Sequence, residues 1–186
     1  MTDEPTRAAL PAIRRATLDD LDAIMDLETS TFASDAWTRG TMRAELASPH
    51  GYYLVADAPA AERAGAGQPA AGETAAGAPG ERQHPHAAID GYAGLLAPAD
   101  SGQADIQTIA VSPDARGHGL GRALMVALLD EARRRGALDV FLEVRADNPN
   151  AQALYASLGF EQIAVRPHYY QPDGVDAYIM RWEVRP

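Results

Sequence analysis

Apolar residues along this chain repeat either every second position or at helical spacing of about 3.6, and the switches between the two outline its elements. Ile13 to Ala16 predicts a first short strand. Thr17 is placed to cap a helix with Asp19, Asp20 and Asp22 in its first turn, and Leu21, Ile24, Met25 and Phe32 follow at helical spacings. Thr38 caps a second predicted helix carrying Met42 and Leu46, and Tyr52 to Ala56 reads as a strand. Ile89 to Leu96 and Ala104 to Val111 are further strands. Leu120, Leu124, Ala127 and Leu128 mark the buried stripe of the next helix, which Arg133, Arg134, Arg135 and Gly136 close with cations and a glycine stop. Val140 to Val144 reads as a short buried strand, and a helix ends near Gly159. Phe160 to Val165 and Ala177 to Val184 are the last strands; in the latter Tyr178, Met180, Trp182 and Val184 alternate onto one face, a core-packing pattern. The order β-α-α-β-β-β-α-β-α-β-β predicts a mixed α/β layer architecture.

Two stretches stand apart. Residues 1–11 read as a loose leader, and residues 12–186 as a single domain. Ala58 to Ala88 contains only Ala, Gly, Pro, Glu, Arg, Gln, His and Thr. It has little to bury against the entropy of ordering, so it predicts a flexible insertion between two strands, with His84 and His86 solvated rather than metal-bound. The chain of 186 residues is long enough for a real core. It has no cysteine, which excludes disulfides, thiolate metal sites and a cysteine nucleophile. No apolar run approaches a membrane span, and the acidic start Met1 to Pro5 lacks a signal-peptide core, so a soluble cytoplasmic protein is expected. A net charge of −10 argues against a nucleic-acid partner and suits a cationic one, although solubility alone explains it equally well.

The candidate chemistry begins at Arg116-Gly117-His118-Gly119-Leu120-Gly121, between a predicted strand and a predicted helix. A glycine-rich turn there lets the backbone approach a ligand and aims several N–H groups outward at the helix start, the making of a pyrophosphate cradle. A Walker loop requires a Gly-Lys pair, and the chain has no lysine. A dinucleotide fingerprint requires G-x-G-x-x-G early in a βαβ unit, whereas these glycines come late and follow G-x-G-x-G. The pattern Q/R-x-x-G-x-G/A is met by Arg116, Gly119 and Gly121.

Downstream, Leu142-Glu143-Val144-Arg145 leads through Asp147-Asn148-Pro149-Asn150 to Ala151-Gln152-Ala153-Leu154-Tyr155-Ala156-Ser157-Leu158-Gly159-Phe160. Two motifs in this order and spacing resemble the GCN5-related N-acetyltransferases, and within them the RimI-like enzymes that acetylate the N-terminal alanine of ribosomal proteins. Arg166-Pro167-His168-Tyr169-Tyr170 and Asp176 to Met180 look like that branch too. The resemblance covers roughly residues 12–57 and 88–184 and is strongest from Ile106 to Phe160. It implies a mixed, mostly antiparallel central sheet flanked by helices, with acetyl-CoA as donor, no metal, and direct transfer to an amine in a ternary complex.

The resemblance also implies roles. Gly117, His118, Gly119, Leu120, Gly121 and Arg122, with Arg116 ahead of them, would form the pyrophosphate loop. Ile109, Ala110 and Val111 would pair through their backbone with the amide-rich pantetheine arm, and an N–H of this strand would polarise the acetyl carbonyl. Asn148 would contact the same arm; its plainer reading is a helix cap ahead of Pro149, and both can hold. Glu143 is the expected general base. A carboxylate in an apolar strand is costly unless paired, solvated or used, and alternation sets it opposite Leu142 and Val144. The competing reading is a salt bridge, with Arg145 or another arginine. Tyr155 is the expected general acid for the coenzyme A thiolate, where a core-filling helix tyrosine is the alternative.

Acceptor selection is expected from Asp35, Ala36 and Trp37, between the first helices, and from Tyr169 and Tyr170, before the last strand; surface packing is the other reading. The resemblance implies a protein N-terminus as acceptor, in the first place a basic ribosomal protein. A lysine or small amine, or an acyl-CoA-binding protein without turnover, are the alternatives.

Overall fold

The computed structural model describes residues 10–32, 35–58 and 88–184. The expected leader through residue 9 and the expected insertion from residue 59 to 87, with His84 and His86, lie outside these residues. The strands are β1 (Ile13–Arg15), β2 (Gly51–Asp57), β3 (Ile89–Leu96), β4 (Gln103–Val111), β5 (Asp139–Arg145), β6 (Glu161–Tyr170) and β7 (Val175–Glu183). The helices are α1 (Leu21–Thr31), α2 (Arg39–Ala47), α3 (Leu120–Arg134) and α4 (Pro149–Ser157). One sheet runs β1-β2-β3-β4-β5-β7-β6. Its neighbours are antiparallel except β4 and β5, which are parallel, so the element order and the mixed sheet match the expectation.

Each face of the sheet carries one apolar layer, because strand side chains alternate between faces. Leu54 and Ala56 of β2 join Leu120, Leu124 and Leu128 of α3 and Tyr155 of α4 on one face. Tyr53 and Val55, one residue out of phase, join Leu21, Ile24 and Leu27 of α1 and Met42 of α2 on the other. Met180 and Trp182 pack in the first layer with Tyr178 and Val184 against it, as their alternation predicts. Gly94 faces Tyr53 across the β2–β3 ladder, and a Cβ there would stand 2.2 Å from the tyrosine ring.

Local caps set the helix starts. Thr17 opens a 3-10 turn, Leu18–Asp20, that leads into α1, and the Asp20 carboxylate accepts from the Thr17 N–H at 2.8 Å. The Thr38 hydroxyl accepts from the Thr41 N–H at 3.1 Å, and Asn148 Oδ1 from the Ala151 N–H at 3.1 Å.

Two features differ from expectation. The arginines closing α3 do more than complement the helix end. Arg134 and Arg135 both pair with buried Glu131, Arg135 also donates to the His50 carbonyl at 3.0 Å, and Arg133 stacks 4.6 Å from the Trp182 ring centroid. Strand β6 does not stop at Val165 but runs to Tyr170, so Tyr169 and Tyr170 close a strand rather than sit in a connection. Pro167 is tolerated within it because β6 is the sheet edge, where a missing N–H costs no ladder bond.

Candidate active site

Strands β4 and β5 are paired only from Gln103/Asp139 to Ile106/Leu142. At that point β4 carries a bulge against β3: Gly94 faces Thr108 while Leu95 faces Ile106, leaving Gln107 as the extra residue. The bulge coincides with the splay. Beyond it the β4 edge from Gln107 to Val111 and the β5 edge from Glu143 to Arg145 have no partner in each other, and a cleft of about 680 Å³ opens between them.

The glycine-rich turn lies on this cleft. Gly119 is the N-cap of α3 at φ +91°, and Gly117 has φ +78°, left-handed values that favour glycine. A Cβ at either would meet nothing within 4 Å, so the turn faces open space. The Ala123 N–H bonds back to the Gly119 carbonyl at 3.0 Å; the first-turn N–H groups before it have no helical acceptor. That is the geometry a pyrophosphate requires, and the freed β4 edge supplies strand-type donors and acceptors for an amide-bearing arm. These residues therefore fit acetyl-CoA. Arg116 and Arg122 line the cleft but are also tied down. Arg116 Nε donates to the Val111 carbonyl at 3.0 Å, and Arg122 Nη2 to Ser157 Oγ at 2.5 Å, which joins α3 to α4.

Most of the residues expected at the site meet on this wall: Ile109, Val111, Arg116, Gly117, Gly119, Leu120, Gly121, Arg122, Asn148, Glu143, Tyr155, Asp35, Trp37 and Tyr170. Four residues do not. Ala36, between Asp35 and Trp37, does not line the cleft. Ala110 turns into the α1–α2 core, so it offers the cleft backbone alone. His118 is exposed off the wall. Tyr169 is also off it, edge-on to Tyr170 with ring centroids 5.2 Å apart.

Glu143 projects from the solvent-accessible side of β5 while Leu142 and Val144 are each 4% exposed. Its Oε1 accepts from Arg166 Nη1 of β6, so both readings of this carboxylate meet at one residue: it is salt-bridged and it lines the cleft. The pairing arginine is Arg166 and not the neighbouring Arg145. A hydrogen bond to Glu143 raises the Tyr169 phenol above its usual range. Tyr155 is buried among the core residues and also reaches the cleft. Burial, and secondarily Tyr170, pushes its phenol up to about 12; burial and then Glu143 do the same for Tyr170, also to about 12.

The structure adds residues that the sequence reading did not single out. Glu28 of α1 is 1% exposed yet lines the cleft. Its Oε1 accepts from the Trp37 N–H at 2.8 Å, its Oε2 accepts from the Tyr92 hydroxyl, and that hydroxyl also lies 3.0 Å from Thr108 Oγ1 of β4. A signal was present: Glu28 falls four residues after Ile24 and four before Phe32, on the apolar stripe of α1. Asp35, expected to help select the acceptor, is engaged internally by Arg145 Nη1 at 3.1 Å. Glu28→Ala removes the acceptor of the buried Tyr92 hydroxyl, which keeps Thr108 as a neighbour, and of the part-buried Trp37 N–H, and is expected to cost about 1–3 kcal/mol in all. Glu28→Gln, which keeps an oxygen for the Trp37 N–H, is expected to cost less; urea unfolding of both variants measures the difference.

A splayed parallel strand pair, a glycine turn at the helix beyond it, and a carboxylate and a phenol thus share one cleft. The acetyltransferase (GNAT) family model matches residues 21–160. The chain is 35% identical over 184 residues to N-alpha-acetyltransferase RimI of Mycobacterium tuberculosis, covering 97% of this chain and 96% of that protein. Its fold superposes on the crystal structure of the ribosomal-protein-S18-alanine N-acetyltransferase from Escherichia coli with a TM-score of 0.72 at 28% identity, over 94% of both chains. It shares the fold, at TM-score 0.70 and 16% identity, with Arabidopsis thaliana NAA60 in complex with acetyl-CoA, over 93% of this chain and 98% of that one. The chain belongs to the GNAT family of acetyltransferases. It is an N-acetyltransferase.

Proposed function

We propose that this protein transfers the acetyl group of acetyl-CoA to the α-amine of a protein N-terminus, in the first place the N-terminal alanine of a basic small-subunit ribosomal protein in the cytoplasm. The observation that carries the reading is the single cleft that holds the glycine turn, Glu143 and Tyr155 together. The RimI relative and the S18-alanine enzyme, similar over nearly the whole chain, support the acceptor class.

The turn from Arg116 to Arg122 binds the pyrophosphate, and the β4 edge around Ile109 and Val111 orders the pantetheine arm. Asn148, while capping α4, faces that arm. Glu143 accepts the proton the amine loses, through a water, as the amine nitrogen bonds to the acetyl carbon. Tyr155 gives its proton to the sulfur as the thioester C–S bond breaks, and the two steps together conserve protons. An α-amine of pKa about 7.7–8.0 is neutral far more often at pH 7 than a lysine near 10.4, an advantage of about 3–4 kcal/mol. A single carboxylate is a sufficient base for the former. The net charge of −10 suits a basic acceptor.

Mass spectrometry of the protein with acetyl-CoA and two matched basic peptides tests the reading. One peptide carries a free N-terminal alanine; the other is blocked there and offers only lysine. Acetylation confined to the first is the expected result. Acetylation of the second, or of neither, moves the acceptor to lysine or to small amines.

A further inference from the structure

Arg145, the last residue of β5, lies two positions beyond Glu143 and makes more ion pairs than either proposed catalytic group. Its Nη1 donates to Asp35 Oδ2 at 3.1 Å, its Nε to Asp147 Oδ1 at 2.9 Å, and its Nη2 to Asp147 Oδ2 and Asp173 Oδ2, both at 3.0 Å. The guanidinium carbon lies 5.1 Å from the centroid of the Tyr170 ring. These contacts reach three separate segments: the residues ahead of α2, the β5–α4 turn, and the β6–β7 hairpin. Two of the segments supply acceptor-side wall, Asp35 and Trp37 from one and Tyr170 from the other. The base of Arg145 is itself fixed. Gln152 Nε2 of α4 donates to its carbonyl at 2.9 Å, and the next residue, Ala146, donates to the Asp176 carbonyl at 2.9 Å.

We propose that Arg145 is a positioning residue for the acceptor, a bridge that holds the Asp35–Trp37 segment and the β6–β7 hairpin at a fixed separation across the cleft. This deepens the proposed function and rests on it. The physical argument is one of geometry. A guanidinium presents five N–H groups in a planar fork, so one side chain can satisfy carboxylates on three segments at once; an ammonium has the charge without the fork. The pairs with Asp147 and Asp173 are solvent-facing while that with Asp35 is part-buried, and all of them join surface segments rather than core elements, so the bridge is expected to matter for the placement of the wall more than for folding. Glu28, which receives the Trp37 N–H, holds the same segment from its other side.

The test uses the full chain with Arg145→Ala and Arg145→Lys. Both are expected to raise KM for the alanine-initiated peptide by about tenfold, with kcat within about threefold and KM for acetyl-CoA within about twofold of the parent. Hydrogen exchange is expected to quicken at Asp35–Trp37 and Gln171–Gly174 and to stay unchanged in α3. Failure of Arg145→Lys to restore the peptide KM separates bridging from charge. Three outcomes overturn the inference: a peptide KM unaltered in Arg145→Ala; a raised peptide KM with exchange unchanged, which makes Arg145 a direct acceptor contact; and KM values for both substrates rising together with a general loss of protection. A parent enzyme that acetylates no peptide α-amine refutes the proposed function instead, and exchange in the two variants still decides whether Arg145 holds the two segments.

Discussion

Tyr155→Phe is expected to lower kcat by about 10²–10⁴-fold, the range for loss of a positioned proton donor, while KM for acetyl-CoA changes little. The ring keeps its place in either variant, since it packs in the core beside Phe160 with ring centroids 6.0 Å apart. What is lost is the proton. Burial pushes the phenol up to about 12, so at neutral pH it carries its proton, while the same shift makes it a weaker acid toward a departing thiolate. The pH profile carries the same sign. Between the unfolded tyrosine value of about 10 and the folded value the native state binds the extra proton, so this group's contribution to stability is full below pH 10 and is lost as pH rises through that window. Below pH 10 no alkaline fall in turnover should arise from Tyr155. Steady-state kinetics with acetyl thioesters of thiols of graded acidity checks the assignment. The deficit of the phenylalanine variant should shrink as the leaving thiol becomes more acidic. An equal deficit with every thiol would remove Tyr155 from the role of acid.

Glu143→Gln is the second large effect. It is expected to reduce kcat/KM for the peptide by about 10²–10⁴-fold at pH 7, with the deficit narrowing as rising pH supplies neutral amine directly. The substitution also breaks the pair with Arg166. Both partners are substantially exposed, with side chains 32% and 52% accessible, and a solvent-exposed pair contributes about 0–1 kcal/mol, so the melting temperature should hardly move. Kinetics and thermal unfolding on one preparation therefore separate chemistry from folding. Full activity in Glu143→Gln would transfer the base to another group. The other glutamate on the wall, Glu28, is poorly suited, because its two oxygens already accept from the Trp37 N–H and the Tyr92 hydroxyl.

What the sequence by itself determined is what short-range physics controls. The order of strands and helices follows from apolar periodicity. The starts of α2 and α4 follow from Thr38 and Asn148, whose side chains bond N–H groups three residues on. The glycine turn is legible because left-handed backbone at Gly117 and Gly119 is a local requirement. The exposure of Glu143 was readable from strand alternation, which needs no knowledge of the partner strand. The partners were another matter. That Glu143 meets Arg166 and Arg145 meets Asp35 could not be read from spacing, because these pairs are 23 and 110 residues apart and are chosen by sheet order. Strand β6 outran its own pattern because β7 supplied a ladder, and Pro167 was harmless only once β6 lay at the edge. Glu28 was written on an apolar stripe, but its use depended on Tyr92 and Trp37 arriving from elsewhere. The cleft itself is a property of two strands: β4 and β5 separate where a bulge at Gln107 turns β4 away, and that separation exists only in the assembled sheet.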